Sequence, residues 1–348
     1  MAKYPSMHSD VPPSIPPPGE ADSAARNGQG PLAVLASLRL TLVSLVLLLG
    51  AVVYIYDAAG EADATLPLVL PLALLSSNLL AAIVTNKAFH RQLPLLMFHL
   101  ALLAIIVLVA AGRLTYLRAT TEVVSGGRHL AMERVEAGPW HGGAKDAMTF
   151  ENLGFTIDYR PGLRRDATVN RVRWRDENGV PHTAEIGDQV PLVIRGYRIY
   201  TSSNKGFAAL FRWEPLQGEP ELGSVNFPGY PLHRDDQSTT WRLGADELRV
   251  RLNIRGQLID PGAAGSFRLP GEHDVTLETP WRVATLKPGE SVPIPSGRVV
   301  YVGLTTWMGY NIFYDWTMPW LLAACALAVL ALGWHFWRKF AAKPWQAA

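Results

Sequence analysis

Four long runs without a charged residue constrain this chain more than anything else in it. They are Leu40 to Tyr56, Ala64 to Asn86, Gln92 to Gly112 and Trp316 to Trp337. A helix rising about 1.5 Å per residue needs roughly 20 apolar residues to cross about 30 Å of hydrocarbon. The first run is the shortest and spans only if Arg39 snorkels to the interface. One such run could be a buried helix of a soluble core; four in one chain predict membrane spans. Hydrocarbon offers backbone groups no water, so each run must satisfy its own hydrogen bonds as a helix, Pro67 and Pro71 notwithstanding.

The flanks predict an orientation. Between the first two runs, Asp57, Glu61 and Asp63 stand without a base, whereas Lys87 and Arg91 follow the second. Arg338, Lys339 and Lys343 follow the fourth. By the positive-inside rule both termini and the second connection are cytoplasmic, which leaves the long middle segment outside. Trp316 and Trp320 at one end of the last run, with Trp334 and Trp337 at the other, read as interfacial belts. The chain thus divides into a cytoplasmic tail (1–33), three spans (34–112), an extracytoplasmic domain (113–315), a fourth span (316–337) and a second cytoplasmic tail (338–348). The first tail is rich in proline (Pro12, Pro13, Pro16, Pro17, Pro18), cannot bury enough apolar surface to fold, and is expected to be disordered. It shows no pattern of a cleaved signal peptide.

The middle segment reads as strands. Phe155 to Tyr159 alternates, as does Val169 to Trp174, and Asp176-Glu177-Asn178-Gly179 then reads as a hairpin turn. Val193 to Tyr200 reads as one further alternating run, followed by Ala209 to Trp213, Leu248 to Ile254, Val275 to Leu277 and Val299 to Leu304. A mostly-β sandwich or barrel-like domain is expected, long enough for its own core. Acidic and basic residues balance in it, and nothing points to nucleic acid. Arg171, Arg173 and Arg175 alternate with Val172 and Trp174 as on a solvated strand face; a basic patch for an anionic ligand is the sharper reading. The single cysteine, Cys325, lies in the last run, so the outer domain holds neither a disulfide nor a CxxC pair. Metal, nucleophile and phosphate-loop signatures are missing, and no self-contained active site is visible.

One ionisable residue lies inside a span. His99 is about seven residues, or roughly 10 Å, from the end of the third run. A histidine at that depth is costly and is by default a functional-site hypothesis. It could hydrogen-bond a neighbouring helix, relay a proton, or ligate a metal or haem iron. His90 beside Arg91 reads as interfacial, as does His335, although His335 could also be a second internal ligand. His129, His141, His182, His233 and His273 are scattered through the outer domain without ligand spacing.

Four stretches carry a family resemblance: Leu35 to Leu42 opening the first span, Ser77-Asn78-Leu79-Leu80 in the second, Phe98-His99-Leu100-Ala101-Leu102-Leu103 in the third, and Ile186-Gly187 through Ile194-Arg195-Gly196-Tyr197 to Ser202-Ser203 outside. With the three-plus-one layout, they make the chain resemble the ResB family of cytochrome c biogenesis proteins, the large subunit of the two-part System II haem lyase. The resemblance implies a place in the bacterial inner membrane and a share in moving haem across it. It also implies attachment of haem vinyl groups to the thiols of a CxxCH apocytochrome c. Haem b would be a transient substrate with His99 as its axial ligand, and a multi-span ResC/CcsA-like subunit would be the partner. The chain would be a non-autonomous subunit, since its eleven tryptophans form no clustered haem-handling motif. The other ring nitrogen of His99 would then need a partner, for which Ser76, Ser77 and Asn78 are candidates. An extended apocytochrome peptide could pair against a free sheet edge. The rival reading is a non-catalytic assembly or scaffold protein for a periplasmic or respiratory partner.

Overall fold

The computed structural model describes residues 31–57, 65–128, 132–142, 148–244, 246–280 and 282–341. The proline-rich stretch, most of the acidic connection, His129 and the last residues of the C-terminal tail lie outside them. The chain separates into two compact units, one made of residues 1–113 with 317–348, the other of residues 114–316.

The first unit is helical. A short helix α1 (Pro31–Leu35) precedes α2 (Leu38–Asp57), then α3 (Thr65–Thr85), a single-turn α4 (Lys87–Arg91), α5 (Leu93–Thr115) and, after the sheets, α6 (Met318–Ala341). Helices α2, α3, α5 and α6 are each long and apolar enough to cross a membrane. Most of their large apolar side chains are exposed, Leu42, Val46, Leu70, Val107 and Leu330 among them, as suits helices whose solvent is lipid. The chain is therefore a membrane protein with three N-terminal helices and one C-terminal helix.

Two of the sequence stretches singled out above meet here. Between α1 and α2 the helix breaks at Ala36-Ser37, which frees the Leu35 carbonyl, while the Ser37 carbonyl opens α2 by accepting from Leu40 N and Thr41 N. Asn78, 3% exposed on α3, answers both: its Nδ2 donates to Leu35 O and to Ser37 O at 3.1 Å, while its Oδ1 accepts from Thr41 Oγ1 at 2.7 Å. Ser37 Oγ accepts from Leu40 N at 3.3 Å and caps α2. With no hydrophobic drive between helices in lipid, such a polar side chain fastens one helix to another.

The second unit is all β. Strands β1 (Leu117–Val124), β2 (Arg134–Ala137), β6 (Leu192–Ile194), β7 (Tyr197–Pro215), β8 (Glu221–Asn226), β14 (Ser291–Ile294) and β15 (Gly297–Tyr314) form a seven-stranded sheet. Its spine is the antiparallel pair of the 19-residue β7 and the 18-residue β15, bulged between Tyr301 and Gly303 and between Met308 and Tyr310. Strands β3 (Phe150–Arg160), β4 (Arg164–Arg175), β5 (Pro181–Ile186) and β11 (Gly265–Ser266) form a second sheet in the order β11-β3-β4-β5. The third runs β13-β12-β10-β9 through β9 (Ser238–Leu243), β10 (Asp246–Ile254), β12 (His273–Glu278) and β13 (Val283–Leu286). Inward-facing residues of all three sheets, among them Phe150, Ile157, Phe207, Phe211, Leu248, Tyr301 and Tyr310, share one buried cluster.

The expected strands are present with two differences: Ala209 to Trp213 continues the strand that begins at Tyr197 rather than forming its own, and the run before it is divided. Val193 to Tyr200 is two strands, β6 and β7, joined by Arg195 (φ 50°) and Gly196 (φ 83°). A two-residue turn with both φ positive leaves the in-out alternation unbroken on either side, so a period of two cannot reveal it. The segment Ile186 to Ser203 is the hand-over between sheets: it leaves β5 in one sheet, turns, and enters the spine strand of another. Gly187 allows this because a Cβ there would lie 2.6 Å from Thr168 O. Arg165 and Asp188 then tie the two sheets at 2.7 Å.

Candidate functional site

Helix α5 holds His99, half-buried, one turn beyond Leu95. Its Nδ1 lies 2.7 Å from Leu95 O, the carbonyl four residues back in the same helix. A carbonyl oxygen can only accept, so Nδ1 carries the proton, and in the neutral ring Nε2 holds the lone pair. Among the described residues Nε2 has no hydrogen-bond partner. Two aromatic rings flank the imidazole, Phe98 with centroids at 5.3 Å and Phe89 of α4 at 4.3 Å. The short helix is fixed by its own cap, Asn86 Oδ1 accepting from Ala88 N at 2.9 Å. Phe89 sits one turn after the α3 span ends, so the basic connection of Lys87 and Arg91 supplies the lid on one side of His99.

This corrects one expectation. Neither Ser76, Ser77 nor Asn78 orients His99. Ser76 Oγ donates to Leu72 O at 2.8 Å and Ser77 Oγ to Ala73 O at 2.9 Å, each within α3, and Asn78 is committed to the α1–α2 break. The physical reason is proximity. A histidine in a helix always has the i−4 carbonyl beneath it, and that acceptor needs no second helix. The consequence for the ring is what a distant partner would have given, a fixed tautomer that leaves the lone pair on Nε2.

The other histidines fall apart from it. His90 on α4 is exposed and points to no second ligand. His335 on α6 is half-buried and lines a cavity of about 520 Å³ with Gln92, Pro94, Leu95, Arg338 and Lys339. In the sheet unit His182 Nε2 is 2.9 Å from Asp176 and its ring stacks on Trp174. His141 is used at both nitrogens, Nδ1 at 2.8 Å from Thr115 O and Nε2 at 2.9 Å from the Tyr197 hydroxyl. Among the described residues no group of three metal-ligating side chains forms. Cys325 is exposed on its helix.

Arg173 and Arg175 do line a concavity, about 290 Å³ with Arg128, Glu151 and Trp174. Their charges are already engaged, Arg173 with Glu151 at 3.4 Å and Arg175 with Gly179 O at 2.7 Å. Sequence reasoning missed a second aromatic hollow of about 240 Å³, lined by Trp140, His141, Arg195, Tyr197, Tyr314 and Trp316. With Thr115, its members come from four separate stretches, and the pairing of β15 with β1 and β7 helps gather them.

No curated protein matches the chain. A family model, the ResB-like family, matches residues 77–258. The match takes in the latter half of α3, all of α5 with His99, and strands β1 to β10, more than half of the 348 residues. The chain belongs to the ResB-like family.

Proposed function

We propose that this protein is the membrane subunit of a haem-handling complex that moves haem across the membrane and supports its attachment to apocytochrome c. Membership of the ResB-like family implies a role in cytochrome c biogenesis; the observation that carries the finer reading is the state of His99. Its Nδ1–H is committed to Leu95 O, and its Nε2 keeps a lone pair inside an apolar span. An iron–nitrogen bond formed there would meet no competition from water, and the carbonyl behind the ring holds the tautomer that presents the ligating nitrogen. Haem is the substrate in this reading, with His99 its axial ligand. A multi-span ResC/CcsA-like subunit would supply the catalytic remainder, and an apocytochrome bearing CxxCH would receive the haem.

Charge supports the orientation. Lys87, Arg91, Arg338 and Lys339 mark one membrane face, and Asp57 and Asp315 the other. The basic face is then cytoplasmic in a bacterial inner membrane, the termini lie there, and the sheet unit is periplasmic.

The test is an absorption spectrum of the detergent-purified protein, co-expressed with its partner subunit, wild type beside His99→Gly, with and without added imidazole. A Soret band that falls in the variant and returns with imidazole is the expected result. A wild type free of haem, or a band indifferent to the substitution, overturns the role of His99.

A further inference from the structure

The cavity beside His335 is not accounted for by an axial ligand alone. Its walls are the start of α5 and the end of α6: Gln92, Pro94 and Leu95 on one side, His335, Arg338 and Lys339 on the other. Arg338 and Lys339 make no ion pair among the described residues, and Gln92 and His335 add hydrogen-bonding groups. The cavity and His99 share Leu95, whose carbonyl takes the Nδ1 proton of His99 while the residue itself forms part of the wall. Along the helix Gln92 lies about 10 Å from His99, and Leu95 about 6 Å. That is within the span of a porphyrin.

Haem is an apolar disc with two carboxylates on one edge. Those carboxylates need a counter-charge where the disc leaves the hydrocarbon, and an arginine and a lysine at the membrane face offset the cost of desolvating them. We propose that this cavity receives the propionates of the haem whose iron His99 ligates, Arg338 and Lys339 supplying the charge. The proposal rests on the haem-ligand reading of His99. An anionic phospholipid headgroup shares the chemistry, so the test must separate the two sources.

The full-length protein is placed in nanodiscs of uncharged phosphatidylcholine and titrated with haemin and, separately, with haemin dimethyl ester, in which both carboxylates are masked. Wild type binds haemin about ten-fold more tightly than the ester, a difference of about 1.4 kcal/mol. Arg338→Gln with Lys339→Gln abolishes that preference and leaves affinity for the ester and the position of the Soret band unchanged. Arg338→Lys keeps most of it. A His99-dependent band that treats haemin and ester alike in wild type overturns this proposal alone, and needs no variant. Discrimination that survives both substitutions also overturns it. So does retention of phosphatidylglycerol over phosphatidylcholine that depends on Arg338 and Lys339 while the two porphyrins bind equally, which assigns the cavity to lipid. If neither porphyrin gives a band sensitive to His99, the ligand reading itself fails and this one with it.

Discussion

Lys205 is the residue whose chemistry is least expected. It lies on β7 in the outer unit, is 6% exposed, and has no carboxylate partner among the described residues. Its Nζ donates to Ser203 O at 3.3 Å and stands 5.5 Å from the centre of the Tyr159 ring, while the nearby Asp188 is taken by Arg165. Burial, and then the Arg165 charge, push the ammonium down from 10.5 to about 8. The folded value is below the unfolded one, so below pH 8 the protein carries the full cost of the buried charge. As pH rises towards 10.5 the unfolded chain retains a proton that the folded chain has lost, and stability increases. Lys205→Met, which keeps the length of the stem, should therefore stabilise the protein at pH 7 by about 1–3 kcal/mol. The gain should shrink by pH 9.5. Thermal melts at the two pH values check this, and a variant melting below wild type at pH 7 would show that the Ser203 and Tyr159 contacts outweigh desolvation. Nothing in Ser202-Ser203-Asn204-Lys205-Gly206 announces a buried cation, since the alternation of β7 gives way to five consecutive buried residues from Lys205 to Ala209. Burial on both faces of a strand is a property of what packs there. His99 was legible for the opposite reason: an ionisable residue in an uncharged run is conspicuous in the sequence itself.

Elements are joined by polar side chains as much as by the core. In the outer unit Asn152, Asn170 and Tyr310 form a buried chain across two sheets. Asn152 Nδ2 donates to Val123 O at 2.9 Å, Asn170 Nδ2 to Asn152 Oδ1 at 2.8 Å and to Gly154 O at 2.9 Å, and the Tyr310 hydroxyl to Asn170 Oδ1 at 2.9 Å. Asn170→Ala would leave Tyr310 and Gly154 unpaired in the interior and should cost about 3 kcal/mol, whereas Tyr310→Phe should cost about 1 kcal/mol. Urea unfolding of the two variants distinguishes them, and equal costs would contradict the network. In the helical unit Asn78→Leu should loosen α3 from the α1–α2 break by about 1–2 kcal/mol, read as a lowered midpoint in detergent-induced unfolding. At the turn between β6 and β7, Arg195 occupies a left-handed conformation for which asparagine is better suited. Arg195→Asn should raise stability by up to about 1 kcal/mol, because the Glu177 contact it gives up is exposed and 3.5 Å long. The strands themselves were readable from alternation. Their joints were not, because an asparagine or an arginine in a strand looks the same whether it faces water, a turn or a second sheet.

For the whole molecule the orientation makes a direct prediction. In a Cys325→Ala background, Glu219→Cys in the outer unit should react with a membrane-impermeant maleimide in intact cells with a permeable outer membrane. Lys87→Cys should react only after the inner membrane is opened, and the reverse pattern would invert the assignment of faces. The sequence by itself determined the four long apolar helices and the β character of the segment between the third and fourth, because hydrocarbon imposes a length and a composition that can be counted. It also singled out His99, and by resemblance the family. Only the tertiary structure decided that Asn78 and Ser37 belong to one joint, and that Arg338, Lys339 and Gln92 face one cavity. Those outcomes depend on which groups come within about 3 Å of each other. Residues far apart in the chain acquire that proximity only when the elements pack.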